Sequence, residues 1–342
     1  AGFCQGGGVG KCIAEWIIDG EPSIDVWAMD VARFGDYASP QYGTIKSSEN
    51  YERRFIMTFP NETLPKGRKQ KTTALYDRFV NQGAVMGDSF GLENVLWFAN
   101  NKEDAHEEPT IKRSRSHDYV SREVINVREN VGLIEVANFS KHEFKGPDAR
   151  KFLDHVMAGK LPKPGRISLS PMLSYRGKLC GDLTVACLDE NEFMVFGSGA
   201  AQEMHRRWFE SHLDKFDVNY KNRSDEFHGI SIAGPNSRKV LEKIVRDDVS
   251  NEKFKFRDSR RMFVGGVPAI INRISFTGEL GYEIYVAPHY QIKLYEELME
   301  AGKEFNIKPF GGRALMSMRL EKNWGAWTLD YRPDFTAKET GL

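Results

Sequence analysis

The sequence predicts an α+β fold made of two related units, each an antiparallel sheet with helices on one face. Three observations predict it. Phe144-Lys145-Gly146-Pro147-Asp148-Ala149-Arg150-Lys151-Phe152-Leu153 is echoed 88 residues later by Ile232-Ala233-Gly234-Pro235-Asn236-Ser237-Arg238-Lys239-Val240-Leu241. In each copy a short strand-like run enters Gly-Pro and a helix follows. What comes after each copy is also parallel: apolar, β-branched runs split by turn residues and closed by a helix.

Taken in order, residues 1–20 read as a glycine loop, Gly6-Gly7-Gly8-Val9-Gly10, leading into a helix over Cys12–Ile18 that Asp19-Gly20 stops. A glycine loop ahead of a helix can approach a phosphate or a flat cofactor. Here Cys12 stands where the G-x-x-x-x-G-K-[ST] motif needs Ser or Thr, and no strand precedes it. Residues 21–100 are mixed and rich in aromatics, with a short helix from Leu75 to Gln82 ending at Gly83. Residues 99–121 are charged and nearly free of large apolar side chains, which reads as a linker.

After the first Gly-Pro, strands are expected at 167–174, 179–188 and 192–197, then a helix at about 200–212. After the second, strands at 267–275 and 282–287 flank a tight turn, and a helix follows at about 290–305. Asp148 and Asn236 sit where helix N-caps belong. A duplicated pair forms its cleft at the pseudo-symmetric seam, which is where a ligand belongs.

The chain has 342 residues, enough for two or three domains. Lys+Arg and Asp+Glu both number 48, so the net charge is zero and no broad footprint for nucleic acid or an anionic membrane is present. No apolar run reaches membrane-spanning length. The four cysteines form no C-x-x-C pair and read as free buried thiols of a reducing compartment: the cytoplasm, or alternatively the mitochondrial matrix. Cys180 and Cys187, seven apart on one strand, should face opposite sides. The histidines lack metal-ligand spacing, so no metal is expected. The first residues, Ala1-Gly2-Phe3, and the last, Thr340-Gly341-Leu342, read as cuts inside a longer protein.

Asp182 lies in Leu179-Cys180-Gly181-Asp182-Leu183-Thr184-Val185-Ala186, an otherwise apolar strand. A carboxylate there is either a positioned group that meets an N–H or a proton of a ligand, or a residue on the solvent face of a strand edge. Glu279 and Glu283 lie in Phe276-Thr277-Gly278-Glu279-Leu280-Gly281-Tyr282-Glu283, whose glycines permit a tight turn. An inward carboxylate just past it could hold an amino-pyrimidine edge by two N–H···O bonds; the alternative is hairpin decoration. Arg319 and Glu321 read as a structural ion pair, and Trp324 and Trp327 as core or interface aromatics.

Four segments occur in order: Gly146-Pro147-Asp148-Ala149, the Gly177–Val185 strand with Asp182, Phe276–Glu283, and Ser317-Met318-Arg319-Leu320-Glu321-Lys322. Together they resemble the aminomethyltransferase (T-protein) family of the glycine cleavage system. Gly6–Trp16 resembles the last glycine loop and helix of amine-oxidising FAD domains. The stretch around Pro60, Gly67-Arg68 and Phe90-Gly91-Leu92-Glu93 is similar to their small central domain.

The resemblance implies the aminomethyltransferase folate-binding fold for 122–342, as repeats of about 122–215 and 216–342 without a terminal barrel. It implies an FAD-domain tail over 1–33 and a central domain over 34–98. It implies that a flavin domain oxidises an N-methyl amine such as dimethylglycine or sarcosine to an iminium, whose one-carbon unit tetrahydrofolate then captures. Asp182 matches the catalytic carboxylate and Glu283 the pterin-binding one. Phe276, Thr184 and Ser198 fall on folate-lining positions, and Gly6, Gly7, Gly8, Val9 and Gly10 on an FAD-binding loop of the intact parent.

Three positions depart from the pattern. Phe276 replaces the tyrosine of the flavin-linked members, Leu315 replaces a ligand-binding arginine of the stand-alone ones, and their double acid is here Gly181-Asp182. The partners implied are folate and a small amine; alone, the chain is not expected to hold FAD or oxidise an amine. The competing readings are a stand-alone tetrahydrofolate-dependent demethylase and a folate-binding scaffold without turnover.

Overall fold

The structure, a computed structural model, describes residues 2–342. Its first part holds helices α1 (Phe3–Asp19), α2 (Pro40–Glu52) and α3 (Tyr76–Asn81), then a hairpin of β1 (Ala84–Ser89) and β2 (Leu92–Phe98). Helix α4 (Ser116–Glu129) leads into the first unit: β3 (Val131–Glu135), β4 (Phe139–Lys145), α5 (Ala149–Val156), β5 (Arg166–Leu173), β6 (Leu179–Asp189), β7 (Glu192–Ser198) and α6 (Gln202–Glu210). The second unit is β8 (Asn219–Asn222), β9 (His228–Ala233), α7 (Ser237–Glu242), β10 (Ser259–Val264), β11 (Val267–Asn272), β12 (Gly281–Val286) and α8 (Gln291–Gly302). β13 (Ile307–Pro309), α9 (Gly312–Glu321) and α10 (Ala337–Thr340) follow.

The two units are not closed side by side as the repeat alone suggests. One sheet runs β5-β6-β7-β4-β8 and the other β10-β11-β12-β9-β3-β13. Each sheet therefore takes its fifth strand from the other unit: β8 pairs β4, and β3 pairs β9. The Gly-Pro motif sits at this exchange. Gly146 has φ 138° and Gly234 φ 132°, a region that disfavours any side chain. A Cβ would lie 2.7 Å from Asp217 O at Gly146, and 2.6 Å from Asn130 O at Gly234. These carbonyls come just before the exchanged strands. The next residues complete the match: Asp148 N donates to Asp217 O and Asn236 N to Asn130 O, both at 3.1 Å.

Three apolar cores separate four layers. One lies outside the six-stranded sheet and joins Ile232, Ile271, Tyr282 and Ile284 to α7 and α8 through Leu241, Leu294 and Leu298. One lies outside the five-stranded sheet and joins Leu183, Val185 and Val195 to α5 and α6 through Phe152 and Phe209. Between the sheets, Ile134, Ala186, Met194, Phe196, Ile270 and Tyr285 meet, with Phe310, Ala314 and Met318 around α9. Residues alternate faces along a strand, so odd positions 183 and 185 pack outward while 182, 184 and 186 point between the sheets.

Several local expectations change. Gly6–Gly10 is not a loop: it lies inside α1, none of whose residues is buried. The run from Phe3 to Ile18 supplies enough helical hydrogen bonds to carry the glycines at their modest propensity cost. The span expected as a linker is irregular only to Arg115, because α4 begins at Ser116. Asp148 and Asn236 occupy N-cap positions without capping. Their side-chain oxygens accept instead from Lys151 and Lys239, at 2.7 and 3.0 Å. Cys180 and Cys187 border the same outer core, since Met172 pairs Gly181 while Leu173 pairs Leu179, which makes Cys180 the extra residue of a bulge. All four thiols are free, but only Cys187 is buried; Cys12 and Cys180 are half-buried and Cys4 is exposed. Strands β3, β8, β10 and β13 escaped the sequence reading.

Candidate functional site

The inner faces of the two sheets bring the main sequence candidates together. On the five-stranded sheet, Thr184 of β6, Phe196 of β7 and Lys141 of β4 form one cross-strand row. The β6–β7 ladder ends at that row, so Asp182 and Ser198, two residues further along their strands and on the same face, stand at its open end. From the opposite sheet comes Tyr285 of β12, whose ring stacks on Phe196 with centroids 4.5 Å apart. Its hydroxyl donates to Glu283 Oε2 at 2.9 Å. Glu283 and Tyr285 alternate with Tyr282 and Ile284, which face outward, so Glu283 points into the inter-sheet layer.

β6 is an interior strand, which removes the edge reading of Asp182: β5 covers one side, with Asp182 opposite Pro171. Its carboxyl bonds to no other side chain among the described residues, and burial pushes its pKa up to about 7. Tyr331, buried in the small cluster with Leu179 and Trp327, lies close enough to feel that charge. Asp182 is half-buried and Glu283 buried, and no group among the described residues donates to the Glu283 Oε1. Burial pushes its pKa up to about 7, against the Tyr285 bond and the charges of Lys322 and Lys141. These are two carboxyls able to exist in either protonation state near neutrality, one in each sheet, with an open hydrogen-bonding position on each.

The neighbouring candidates resolve differently. Phe276 sits half-buried in the loop between β11 and β12. That loop is fixed by Ser275, whose hydroxyl bonds Thr277 Oγ1 at 2.6 Å, and by Lys322 Nζ donating to Ser275 O at 2.9 Å. Glu279 is drawn off to the surface: it accepts from Arg128 at 2.6 Å, and Arg128 also pairs with Glu321. Arg319 is therefore not paired with Glu321 but with Asp330, at 2.5 Å, and it donates to Trp324 O. Gly6, Gly7, Gly8 and Gly10 have nothing within 4 Å of where a Cβ would stand, and their amides lie in a helix interior. That geometry, in this chain, is not that of a phosphate cradle.

Two larger cavities flank the layer. One of about 450 Å³ lies between residues 16–30 and the β5–β6 turn and α6, lined by Trp16, Trp27, Leu179, Cys180 and Trp208. The other, about 600 Å³, opens at the seam of the two sheets, with Tyr285, Met194 and Ile270 at its wall and ion-paired Arg223 and Arg261 at its rim. The seam has a cleft with Tyr285 at its wall, but neither Glu283 nor Asp182 lines either cavity. Sequence reading passed over Lys141, Tyr285 and Phe196. Lys141 carries a signal in hindsight: it is a lysine in the middle of the strand that precedes the first Gly-Pro, whereas Lys145 stands at its end.

Among known proteins, the family described as the GCVT N-terminal domain matches residues 75–342, and the FAD dependent oxidoreductase central domain matches residues 19–73. Human mitochondrial dimethylglycine dehydrogenase is 35% identical over 345 residues, covering 100% of this chain and 40% of its own length. Human mitochondrial sarcosine dehydrogenase is 28% identical over 389 residues, covering 100% and 42%. The chain thus spans about two fifths of the length of these curated relatives. The crystal structure of glycine cleavage system aminomethyltransferase T from Bartonella henselae shares the fold, with a TM-score of 0.66 at 22% identity over 78% of this chain and 66% of that one. Among the described residues no helix is long and apolar enough to cross a membrane, and no group of His, Cys, Asp and Glu could hold a metal ion.

Proposed function

This chain belongs to the GCVT N-terminal domain family, and from that premise we propose that it is the folate-binding part of a flavin-linked N-methyl amine dehydrogenase. In this reading the inter-sheet layer receives tetrahydrofolate and passes it a one-carbon unit. The observation that carries it is a pair of carboxyls, the half-buried Asp182 and the buried Glu283, facing the layer from opposite sheets with unmet hydrogen-bonding positions.

Glu283 is the anchor. A carboxylate with one oxygen held by Tyr285 and the other open can accept the adjacent N–H groups of an amino-pyrimidine ring. Thr184 and Ser198 line the same face, and Phe276 covers it from the loop with an apolar ring. Asp182 is the proton carrier. The iminium carbon forms bonds to two folate nitrogens as its bond to the amine nitrogen breaks; both N–H protons end on the demethylated amine, which departs as an ammonium. Asp182 takes a proton from a folate nitrogen and returns it to the departing amine. A group titrating near neutrality suits both halves of that exchange. The product is 5,10-methylenetetrahydrofolate. FAD would serve the oxidation in the intact parent, with dimethylglycine or sarcosine as amine, in the mitochondrial matrix or the cytoplasm.

Calorimetric titration with tetrahydrofolate or a stable analogue tests the site. We expect saturable binding that Glu283→Ala reduces by at least tenfold. A folded protein that binds no folate would overturn the reading. Binding without turnover of any one-carbon donor would instead favour a folate-binding scaffold.

A further inference from the structure

Glu283 has polar neighbours in its own sheet. The register sets Ser231 of β9, Glu283 of β12, Asn272 of β11 and Ser259 of β10 in one row across four adjacent strands. Paired residues share a face, and the alternation along each strand fixes which face it is. Ile230, Ile232 and Ile271 belong to the outer core and Ile270 to the inter-sheet core, so the polar row points between the sheets. Directly opposed side chains start about 5 Å apart at their Cβ atoms, which makes Asn272 the immediate neighbour of Glu283.

Asn272 is the member of the row that packing does not explain. It is fully buried, at the end of a strand whose preceding residues are Ile270 and Ile271. Ser259 Oγ donates to its Oδ1 at 2.7 Å, which fixes the way round of the amide. Its Nδ2 is then shut off from solvent with no acceptor among the described residues. A buried N–H without an acceptor is costly, whereas an apolar side chain of the same shape would carry no such cost. Beside it, the open Oε1 of Glu283 lacks a donor among the described residues. The row therefore offers a ligand an acceptor and a donor side by side.

A pterin ring presents along one edge an amino group, a ring N–H and a carbonyl oxygen: two donors and then an acceptor. With the two donors on Glu283, the carbonyl oxygen falls to one side of the carboxylate and needs a donor from a neighbouring strand. The ring nitrogen on the other side is recessed, while the carbonyl oxygen projects. We propose that Asn272 is a specificity-determining residue of this site, its Nδ2 donating to the ring carbonyl beside the N–H groups that Glu283 accepts, with Ser259 holding the amide the right way round. The inference rests on the folate reading and adds to it a selection at the ring: an oxo group is accepted and an amino group in its place is refused. An amino group there sets N–H against N–H and leaves Nδ2 unmet.

Calorimetry on the full chain compares tetrahydrofolate with its diamino counterpart, in which an amino group replaces the ring carbonyl. We expect the native protein to prefer tetrahydrofolate by at least about tenfold, because a site built to hydrogen-bond a group rejects the analogue lacking it. Asn272→Leu should weaken tetrahydrofolate about five- to tenfold, the scale of one hydrogen bond, and change the diamino counterpart by less than about twofold. Ser259→Ala keeps Asn272 but frees its amide to turn, and should narrow the preference too. A structural role for Asn272 predicts equal losses for both ligands. Equal losses, or a preference retained in Asn272→Leu, overturn the proposal; if that variant does not fold, a preference retained in Ser259→Ala overturns it. A native protein that binds neither ring overturns the folate reading itself, whereas one that binds tetrahydrofolate with its preference untouched in the variants removes only the role of Asn272.

Discussion

A carboxyl that titrates near neutrality can take up and release a proton under one set of conditions, and Asp182 is placed to do so by an interior strand and an apolar surround. Asn at that position keeps the shape and removes the proton exchange. Asp182→Asn should therefore lower one-carbon transfer about 10²- to 10⁴-fold, the usual scale of general acid–base assistance. Folate affinity should change by less than about threefold, which is about half of the 1.4 kcal/mol that a tenfold change represents. The rate is read above the uncatalysed background, with an adduct of formaldehyde and a secondary amine as donor. Equal loss of rate and of affinity would assign Asp182 to binding alone. At this scale the sequence flagged both carboxyls, because polar residues in apolar strands are conspicuous, and left open whether each faced inward or to solvent. It could not separate Glu279 from Glu283. Both lie past the same turn, and only the position of Arg128, 151 residues earlier, draws Glu279 to the surface.

Gly-Pro motifs organise the elements. At each, the chain turns so tightly against the strand exchanged from the other unit that a side chain has no room. Gly234 is the more severe case, with carbonyl oxygens of both Asn130 and Val127 2.6 Å from a would-be Cβ. Gly234→Ala should destabilise the protein by about 1–3 kcal/mol from backbone strain alone, and more with the collision. Urea unfolding measures it; a loss under about 0.5 kcal/mol would mean that the exchange tolerates a shifted backbone. The strands that alternate or run apolar were readable in sequence, as were α3 and the helices after each Gly-Pro. β8, reading Asn219-Tyr220-Lys221-Asn222, was not: it is polar and short, and it is a strand because β4 offers an open edge. The glycine run at 6–10 misled in the opposite direction, since a loop-forming composition was carried into a helix by its neighbours.

At the scale of the molecule, facing sheets create an interior that perturbs every ionisable group set in it. Glu123 of α4 shows this outside the candidate site. It accepts from Phe98 N at 2.7 Å and Gly311 N at 2.9 Å, so it ties α4 to the β1–β2 hairpin and to the start of α9. Burial nevertheless pushes its pKa up to about 7. The folded state then binds more protons than the unfolded one between the ordinary carboxyl range and pH 7, so this contribution to stability is present at low pH and is lost as pH rises. Glu123→Gln removes it. Relative to the variant, the native protein should lose up to about 1.4 kcal/mol per pH unit across that interval. Denaturant unfolding at pH 5 and pH 7 measures the difference, and a pH-independent gap would show that Glu123 is ionised throughout.

By itself the sequence determined the duplication, the α+β class, most strands of each unit and the two carboxyls, because these depend on local pattern: period-two apolar runs, glycine where φ must be positive, and charge where none belongs. Only the tertiary structure decided that the units exchange their first strands, that the glycine run is helical, and that Tyr285 stacks on Phe196 across the layer while its hydroxyl holds Glu283. The strand exchange and the stacking join residues about 75 to 100 positions apart. They follow from how two sheets bury their inner faces against each other, which no window of the chain contains.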